Sequence, residues 1–120
     1  MTTNSPNMRV CMRNKKIYLN RAAIALIGNP SHLSFQYDEQ DGLLYFSPAA
    51  SDELDAYEIP KFFWSDGRKT CEIARIAFLK ALQYRIGWED GSKYYFDGKV
   101  IKNHEVPTLV YTLTEGTRVR

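Results

Sequence analysis

The order of secondary-structure signals in this chain occurs twice, and this repeat constrains the fold more than any other feature. In the first copy a short strand, 17–19, leads to Asn20, whose side-chain oxygen can cap a helix by accepting a free first-turn N–H. The apolar stretch 21–27 predicts that helix, and Gly28 predicts its end. Residues 32–46 then alternate in polarity around an Asp-Gly pair, which predicts a hairpin.

The second copy begins 54 residues later, with Cys71 at the position that matches Ile17. At this offset Arg21 matches Arg75, and an apolar stretch again follows. Two identities among twelve aligned positions are weak evidence alone. The shared element order, turn chemistry and polarity nevertheless favour a duplication.

The end of the chain predicts a second hairpin and a last strand. Residues 93–96 and 99–101 read as two strands joined by a tight turn at Asp97-Gly98. A final strand is predicted at 108–113, after Pro107. The second copy therefore has the same predicted order as the first.

These signals predict a single domain that is mainly β with short helices, of the swapped-hairpin or small β-barrel class. The domain spans 16–120 and follows a basic, partly flexible arm, 1–15. Its two strand–helix–strand–strand repeats are 16–48 and 69–113, joined by an acidic and aromatic connection, 49–68. An aromatic content of 13% fits β structure, because such side chains suit a pleated, half-buried surface.

Several classes of protein find no support in the sequence. No apolar run approaches the roughly 20 residues of a membrane-spanning helix, and the first residues lack the apolar core of a secretory signal. Cys11 and Cys71 are far apart, so we expect free thiols and a cytoplasmic protein. His32 and His104 have no partner at ligand spacing. We therefore expect no enzyme, no metal site and no cofactor.

The first copy resembles the AbrB-like swapped-hairpin domains, which include the SpoVT/AbrB and MraZ proteins. The resemblance rests on the basic strand 16–19, the helix end at Ile27-Gly28, and the two strands that close near a proline, 33–48. It covers 15–48 well and 69–113 loosely. Asn20 stands where the family usually has proline, and Ile24 where it often has arginine, which weakens the DNA-binding inference. The resemblance implies DNA binding through the strand–helix region, and the tandem copies are similar to the MraZ arrangement.

Charge is distributed unevenly along the chain. Residues 1–37 contain five cations and no Asp or Glu, whereas 38–59 contain seven carboxylates and no Lys or Arg. Cations again outnumber carboxylates in 61–88, six to two. If a two-fold axis relates the copies, the basic segments will combine into one positive surface, which attracts phosphate backbones.

The leading functional prediction is therefore a small transcription-regulator-like protein that binds double-stranded DNA, acting as a homodimer. The residues predicted to contact DNA are the cations of the two strand–helix junctions: Arg9, Arg13, Lys15, Lys16, Arg21, Arg68, Lys69 and Arg75. Arg21 and Arg75, at equivalent first-turn positions, are the best paired candidates. The competing interpretation of these cations is an ordinary solvated surface.

A second functional hypothesis assigns the chain to the protein-interaction or inhibitor modules that mobile elements carry. Phe62, Phe63 and Trp64 would contact the partner protein, because exposed apolar patches tend to mark interfaces. The acidic connection would engage basic groups on the same partner. The alternative interpretation is that these aromatic residues cover one end of the barrel.

Overall fold

The computed structural model describes residues 5–65, 67–103 and 106–119, which form short antiparallel strands and three helices. The strands are β1 (Asn7–Cys11), β2 (Lys16–Asn20), β3 (His32–Asp38), β4 (Leu43–Pro48), β5 (Tyr57–Glu58), β6 (Thr70–Ile73), β7 (Lys93–Asn103), β8 (Val106–Thr112) and β9 (Thr117–Val119). The helices are α1 (Arg21–Leu26), α2 (Lys61–Ser65) and α3 (Ile76–Ile86), and a 3-10 turn occupies Leu113–Glu115.

The strands form one curled sheet, with the order β5-β3-β4-β8-β7-β1-β2-β6 and with β9 paired to β7. The buried apolar side chains form one cluster, and strands from both ends of this order contribute to it, together with all three helices. The predicted class, mainly β with short helices and a small β-barrel architecture, is confirmed.

The first predicted unit forms as its local signals indicate. The Asn20 side chain accepts a hydrogen bond from the N–H of Ala23 at 3.0 Å and caps α1. Gly28 follows the helix with a φ of +89°, and Gly42 turns the β3–β4 hairpin with a φ of +68°. Both φ values lie in the left-handed region that favours glycine. The α1 side chains Ala23 and Ile24 are fully buried, which explains the apolar character of this short helix.

The predicted turn at Asp97-Gly98 is wrong, because β7 continues through both residues. The N-terminal half of β7 pairs with β1 as far as Asp97, whereas the part from Gly98 onwards pairs with β8. A Cβ atom at Gly98 would overlap the buried ring of Tyr111. Glycine is required here because the Tyr111 ring packs closely against the strand, at the point where β7 changes its partner strand. It is not required by a turn.

The prediction of a partly flexible arm also needs correction. Within 1–15, residues 7–11 form β1, which lies in the interior of the sheet between β2 and β7. Met8 and Val10 are fully buried, while Arg9 between them points outward. Buried and exposed side chains thus alternate in this part of β1, but the basic composition of 1–15 predicts a flexible arm instead of a strand. Residues 1–4 lie outside the described range.

Most of the strand order fits an approximate two-fold relationship between β1–β4 and β5–β8, except that β1 pairs with β2 whereas β5 and β6 do not pair in the described residues. The equivalent strands β2 and β6 pair with each other, and so do the equivalent strands β4 and β8. Tyr18 and Glu72, which match in the 54-residue offset, are directly opposite in the β2–β6 pair. The duplication stays a prediction, but each half contains a leading strand, β1 or β5, that the predicted repeats omit.

Candidate nucleic-acid interface

One outer surface of the sheet collects cations and aromatic rings from three neighbouring strands. In β1, β2 and β7 the apolar side chains point into the core, so the alternate residues point outward. Arg13 lies in the turn between β1 and β2. We call this surface the basic face and define it by the following residues: Arg9, Arg13, Lys16, Tyr18, Lys93 and Tyr95.

Two adjoining depressions mark the basic face. The larger has a volume of about 310 Å³ and is lined by Arg9, Arg13 and Lys93, together with Cys11, Asn14 and Tyr18. The smaller, of about 140 Å³, shares Arg9 and Tyr18 with the first and adds Tyr95, Asn7, Asn20 and Thr70. Cationic groups from β1, β7 and the β1–β2 turn thus converge around one concavity.

Three cations of the basic face have no acidic partner in the part of the chain that the structure describes. Among the described residues, no carboxylate oxygen lies within 4.0 Å of the charged groups of Arg9, Arg13 or Lys93. The guanidinium of Arg9 lies over the ring of Tyr18, 4.6 Å from its centroid. These three charges are available to an anionic ligand.

Two further predicted cations are paired within the protein. The Lys16 ammonium lies 2.7 Å from a carboxylate oxygen of Glu72, and this hydrogen bond raises the pKa of Lys16 above its ordinary value. The Lys15 ammonium donates to the carbonyl oxygen of Met12 at 2.8 Å and lies 3.1 Å from the Asp90 carboxylate. Hydrogen bonds from Gln83 and Lys15 lower the pKa of Asp90.

Arg21, a leading DNA-binding candidate, holds the connection between the two halves. Its guanidinium donates to the carbonyl oxygens of Phe63 and Arg68 at 2.5 and 2.7 Å, and it lies 4.2 Å from the centroid of the Phe63 ring. Its backbone N–H donates to the carbonyl oxygen of Lys69 at 2.7 Å. These contacts engage two of the five guanidinium N–H groups within the protein, so Arg21 anchors α2 in this structure.

Arg75, the matching candidate in the second copy, also packs inward. Its guanidinium lies 5.1 Å from the ring centroid of Tyr57 and 5.7 Å from that of Phe35. It also donates to the carbonyl oxygen of Ala56 at 3.4 Å. The two arginines that the sequence paired thus both fasten segment 49–68 to the barrel.

Arg68 and Lys69 immediately precede β6 and are exposed. The guanidinium of Arg68 covers the ring of Phe62, 4.5 Å from its centroid. Because β6 pairs with β2, which in turn pairs with β1, the two cationic segments belong to neighbouring strands of one sheet. The DNA-binding role of these cations stays a prediction, and the two arginines ranked first donate to backbone carbonyl oxygens.

The aromatic connection mainly closes the barrel. Phe63 is only 1% exposed, so its prediction as a partner contact is wrong: it belongs to the core. Trp64 is half-buried and packs edge-on against Phe63, with 4.9 Å between ring centroids. Phe62, at 42% exposure, is the member of this group that remains accessible.

Sequence reasoning missed three members of the basic face: Tyr18, Lys93 and Tyr95. The alternation of 93–96 places Lys93 and Tyr95 on one side of a strand, which was a usable signal. What no local signal revealed was that β7 pairs with β1. That pairing brings Lys93 and Tyr95 beside Arg9.

Comparison of the chain with known protein families, curated proteins and solved structures finds no match. The resemblance to AbrB-like domains therefore stays a prediction. The fold and the surface define a small, antiparallel, β-barrel-like protein with a cationic and aromatic sheet face.

Two other features, a metal-binding cluster and a membrane-spanning helix, are absent from the part of the chain that the structure describes. It contains no group of three or more His, Cys, Asp or Glu side chains arranged to hold a metal ion. No helix in these residues has the length and apolar character needed to cross a membrane.

Proposed function

We propose that this protein binds nucleic acid through the basic face. The proposal rests on one observation: Arg9, Arg13 and Lys93, from three different segments, line the same depression and have no acidic partner among the described residues. Lysine and arginine side chains that contact phosphates release condensed counterions, and this release drives sequence-independent binding.

The charge distribution of the molecule supports the same surface. Seven carboxylates occur in 38–59, which contains the β3–β4 hairpin and β5, away from β1 and β2 in the strand order. Asp97 is the exposed carboxylate nearest to the basic face on β7. Long-range electrostatics would therefore favour the basic face over the acidic β3–β4 hairpin as the site where an anionic polymer binds.

The proposed interface lies on the outer surface of the sheet and not at the strand–helix junctions that contain Arg21 and Arg75. Arg21 and Arg75 donate to backbone carbonyl oxygens, which hold their guanidinium groups against segment 49–68. Arg9, Arg13 and Lys93 instead line a depression of the basic face. The expected regulator-like activity thus depends on the sheet surface, not on the helix ends.

Fluorescence anisotropy with labelled oligonucleotides, single-stranded and duplex, tests this function. The triple variant Arg9→Glu/Arg13→Glu/Lys93→Glu should abolish binding, because it reverses each unpaired charge of the face. In the wild type the logarithm of the binding constant should fall linearly with that of the salt concentration, with a slope of about −2 to −3 for three phosphate contacts.

A matched variant, Lys61→Glu/Lys80→Glu/Lys102→Glu, makes the same change in net charge at exposed positions on α2, α3 and the end of β7. It should retain most of the binding, since these side chains do not line the depressions of the basic face. If both triple variants lost binding equally, the loss would reflect net charge and not the basic face. No binding by the wild type at about 50 mM salt would refute the proposed function.

A further inference from the structure

A row of three side chains crosses the basic face at right angles to the strands. The sheet register places Arg9 of β1 opposite Tyr18 of β2 on one side and opposite Tyr95 of β7 on the other. Neighbouring strands lie about 4.8 Å apart, so the two rings are about two strand spacings apart, with the guanidinium between them. We call this set the Tyr18–Arg9–Tyr95 row.

The rings of this row contribute little to the core. Tyr95 is 38% exposed, and among the described residues it has no hydrogen-bond or aromatic partner. Tyr18 is half-buried under the Arg9 guanidinium, and its hydroxyl accepts a hydrogen bond from the Asn14 amide at 3.5 Å. The row therefore presents two flat groups to solvent: the ring of Tyr95 and the guanidinium of Arg9.

The flanks of the row differ in charge. On the side of the β1–β2 turn, Lys16 and Lys93 are both opposite Cys11 in the register, and Arg13 lies beyond them. On the other side, Asn20 and Asp97 are the corresponding outward residues. Among the described outward residues that flank the row on β1, β2 and β7, the cations lie on the side of the β1–β2 turn.

Granted the proposed function, we infer that the ligand is single-stranded nucleic acid, with unpaired bases stacked on the Tyr18–Arg9–Tyr95 row and the backbone along Arg13 and Lys93. Base stacking on exposed aromatic rings, combined with a cationic track, is the general mode of single-strand recognition. In a duplex the faces of the bases are covered by their neighbours, so Tyr95 would have nothing to stack on.

The Asn20 side chain, which lines the smaller depression, hydrogen-bonds within the protein. The Asn20 side-chain oxygen accepts from the N–H groups of Ala23 and Asn7, and its amide nitrogen donates to the carbonyl oxygen of Ser5. Its hydrogen-bonding groups are therefore occupied within the protein. Stacking on an aromatic ring tolerates any base, so we expect the contribution of the row itself to show weak sequence preference.

Competition experiments test this inference with oligonucleotides of about 16 nucleotides, which is the upper site size of a single strand-binding domain. An unlabelled single strand should displace a labelled single strand far better than the corresponding duplex. Tyr95→Ala should weaken single-strand binding by about 5- to 100-fold, the effect of losing one stacked base, and Tyr95→Phe should retain it. The control Tyr84→Ala removes a tyrosine that is 90% exposed on α3 and should change nothing.

A second measurement uses the unmodified protein. Ultraviolet cross-linking to a bromodeoxyuridine-substituted single strand, followed by peptide mapping, should place adducts on Tyr95 or Tyr18. Adducts confined to other elements would overturn the inference. Equal affinity for duplex and single strand, combined with unchanged binding by Tyr95→Ala, would also overturn the inference. The proposed function would survive that result. Failure of the wild type to bind either form would refute both.

Discussion

The hydroxyl of Tyr57 joins the two ends of the sheet: it donates a hydrogen bond to the carbonyl oxygen of Glu72 at 3.2 Å. The same hydroxyl accepts a hydrogen bond from the N–H of Ala74 at 3.4 Å. Tyr57 is in β5 and Glu72 in β6, the two terminal strands of the sheet order, which do not pair with each other in the described residues. A side chain therefore substitutes for a strand pairing here, whereas the equivalent strands β1 and β2 pair along their length.

Tyr57→Phe should remove both hydrogen bonds between β5 and the β6 end of the sheet, while the ring at this position still packs on Phe35. We expect a loss of about 1 kcal/mol in the free energy of unfolding, the usual net value of a hydrogen bond, and faster hydrogen exchange at the Ala74 amide. Urea unfolding and exchange measured by NMR would check both. Tyr84→Phe, on the exposed face of α3, should change neither, and unchanged Ala74 exchange in Tyr57→Phe would contradict the bridging role.

Arg21→Met should destabilise the fold by about 1.5 to 3 kcal/mol, because it removes hydrogen bonds from a charged donor to the Phe63 and Arg68 carbonyl oxygens. Arg13→Met, at an exposed turn position, should change stability by less than about 0.5 kcal/mol. Urea unfolding gives both values, and binding is compared under conditions where each variant is folded. If Arg21→Met were fully stable yet no longer bound nucleic acid, Arg21 would be a ligand contact and not an anchor.

Gly98→Ala should cost about 1 to 3 kcal/mol, because the added methyl overlaps the buried Tyr111 ring and the core must shift to accommodate it. Thermal or urea unfolding measures this loss. The double variant Gly98→Ala/Tyr111→Leu should lose less than the sum of the two single variants, since the smaller side chain relieves the overlap. Strictly additive losses would show that the two sites are independent.

Stability should decline at alkaline pH through Cys71. Burial raises the pKa of this thiol from its ordinary value of 9.0 to about 12, so the folded protein holds the proton more tightly than the unfolded chain does. The unfolding free energy should therefore fall as pH rises from 9.0 towards about 12, and Cys71→Ala should flatten that slope.

This pH test needs a suitable background, because other groups act in the same direction. The pKa values of Lys16 and Tyr111 are also raised, the first by Glu72 and the second by burial, and both therefore reduce stability at high pH. The slopes with and without Cys71→Ala are best compared in a Lys16→Gln/Tyr111→Phe background. Equal slopes in that comparison would contradict the role of Cys71.

The sequence alone determined the local structure of the first unit. The Asn20 cap and the glycines at positions 28 and 42 act through atoms only a few residues away, so their chemistry can be read without knowledge of the fold. That the two cationic segments form one nucleic-acid surface stays a prediction. The prediction from sequence is wrong at Asp97-Gly98, a pair that is common in tight turns but here lies within a continuous strand.

The tertiary structure decided which side chains remain available to a ligand. Arg21 and Arg75 look like surface cations in the sequence, but the carbonyl oxygens that bind them come from distant parts of the chain. The Tyr18–Arg9–Tyr95 row likewise exists only because β7 pairs with β1. Pairing between distant strands depends on the fit of the whole core, and that fit is not encoded in any short window of sequence.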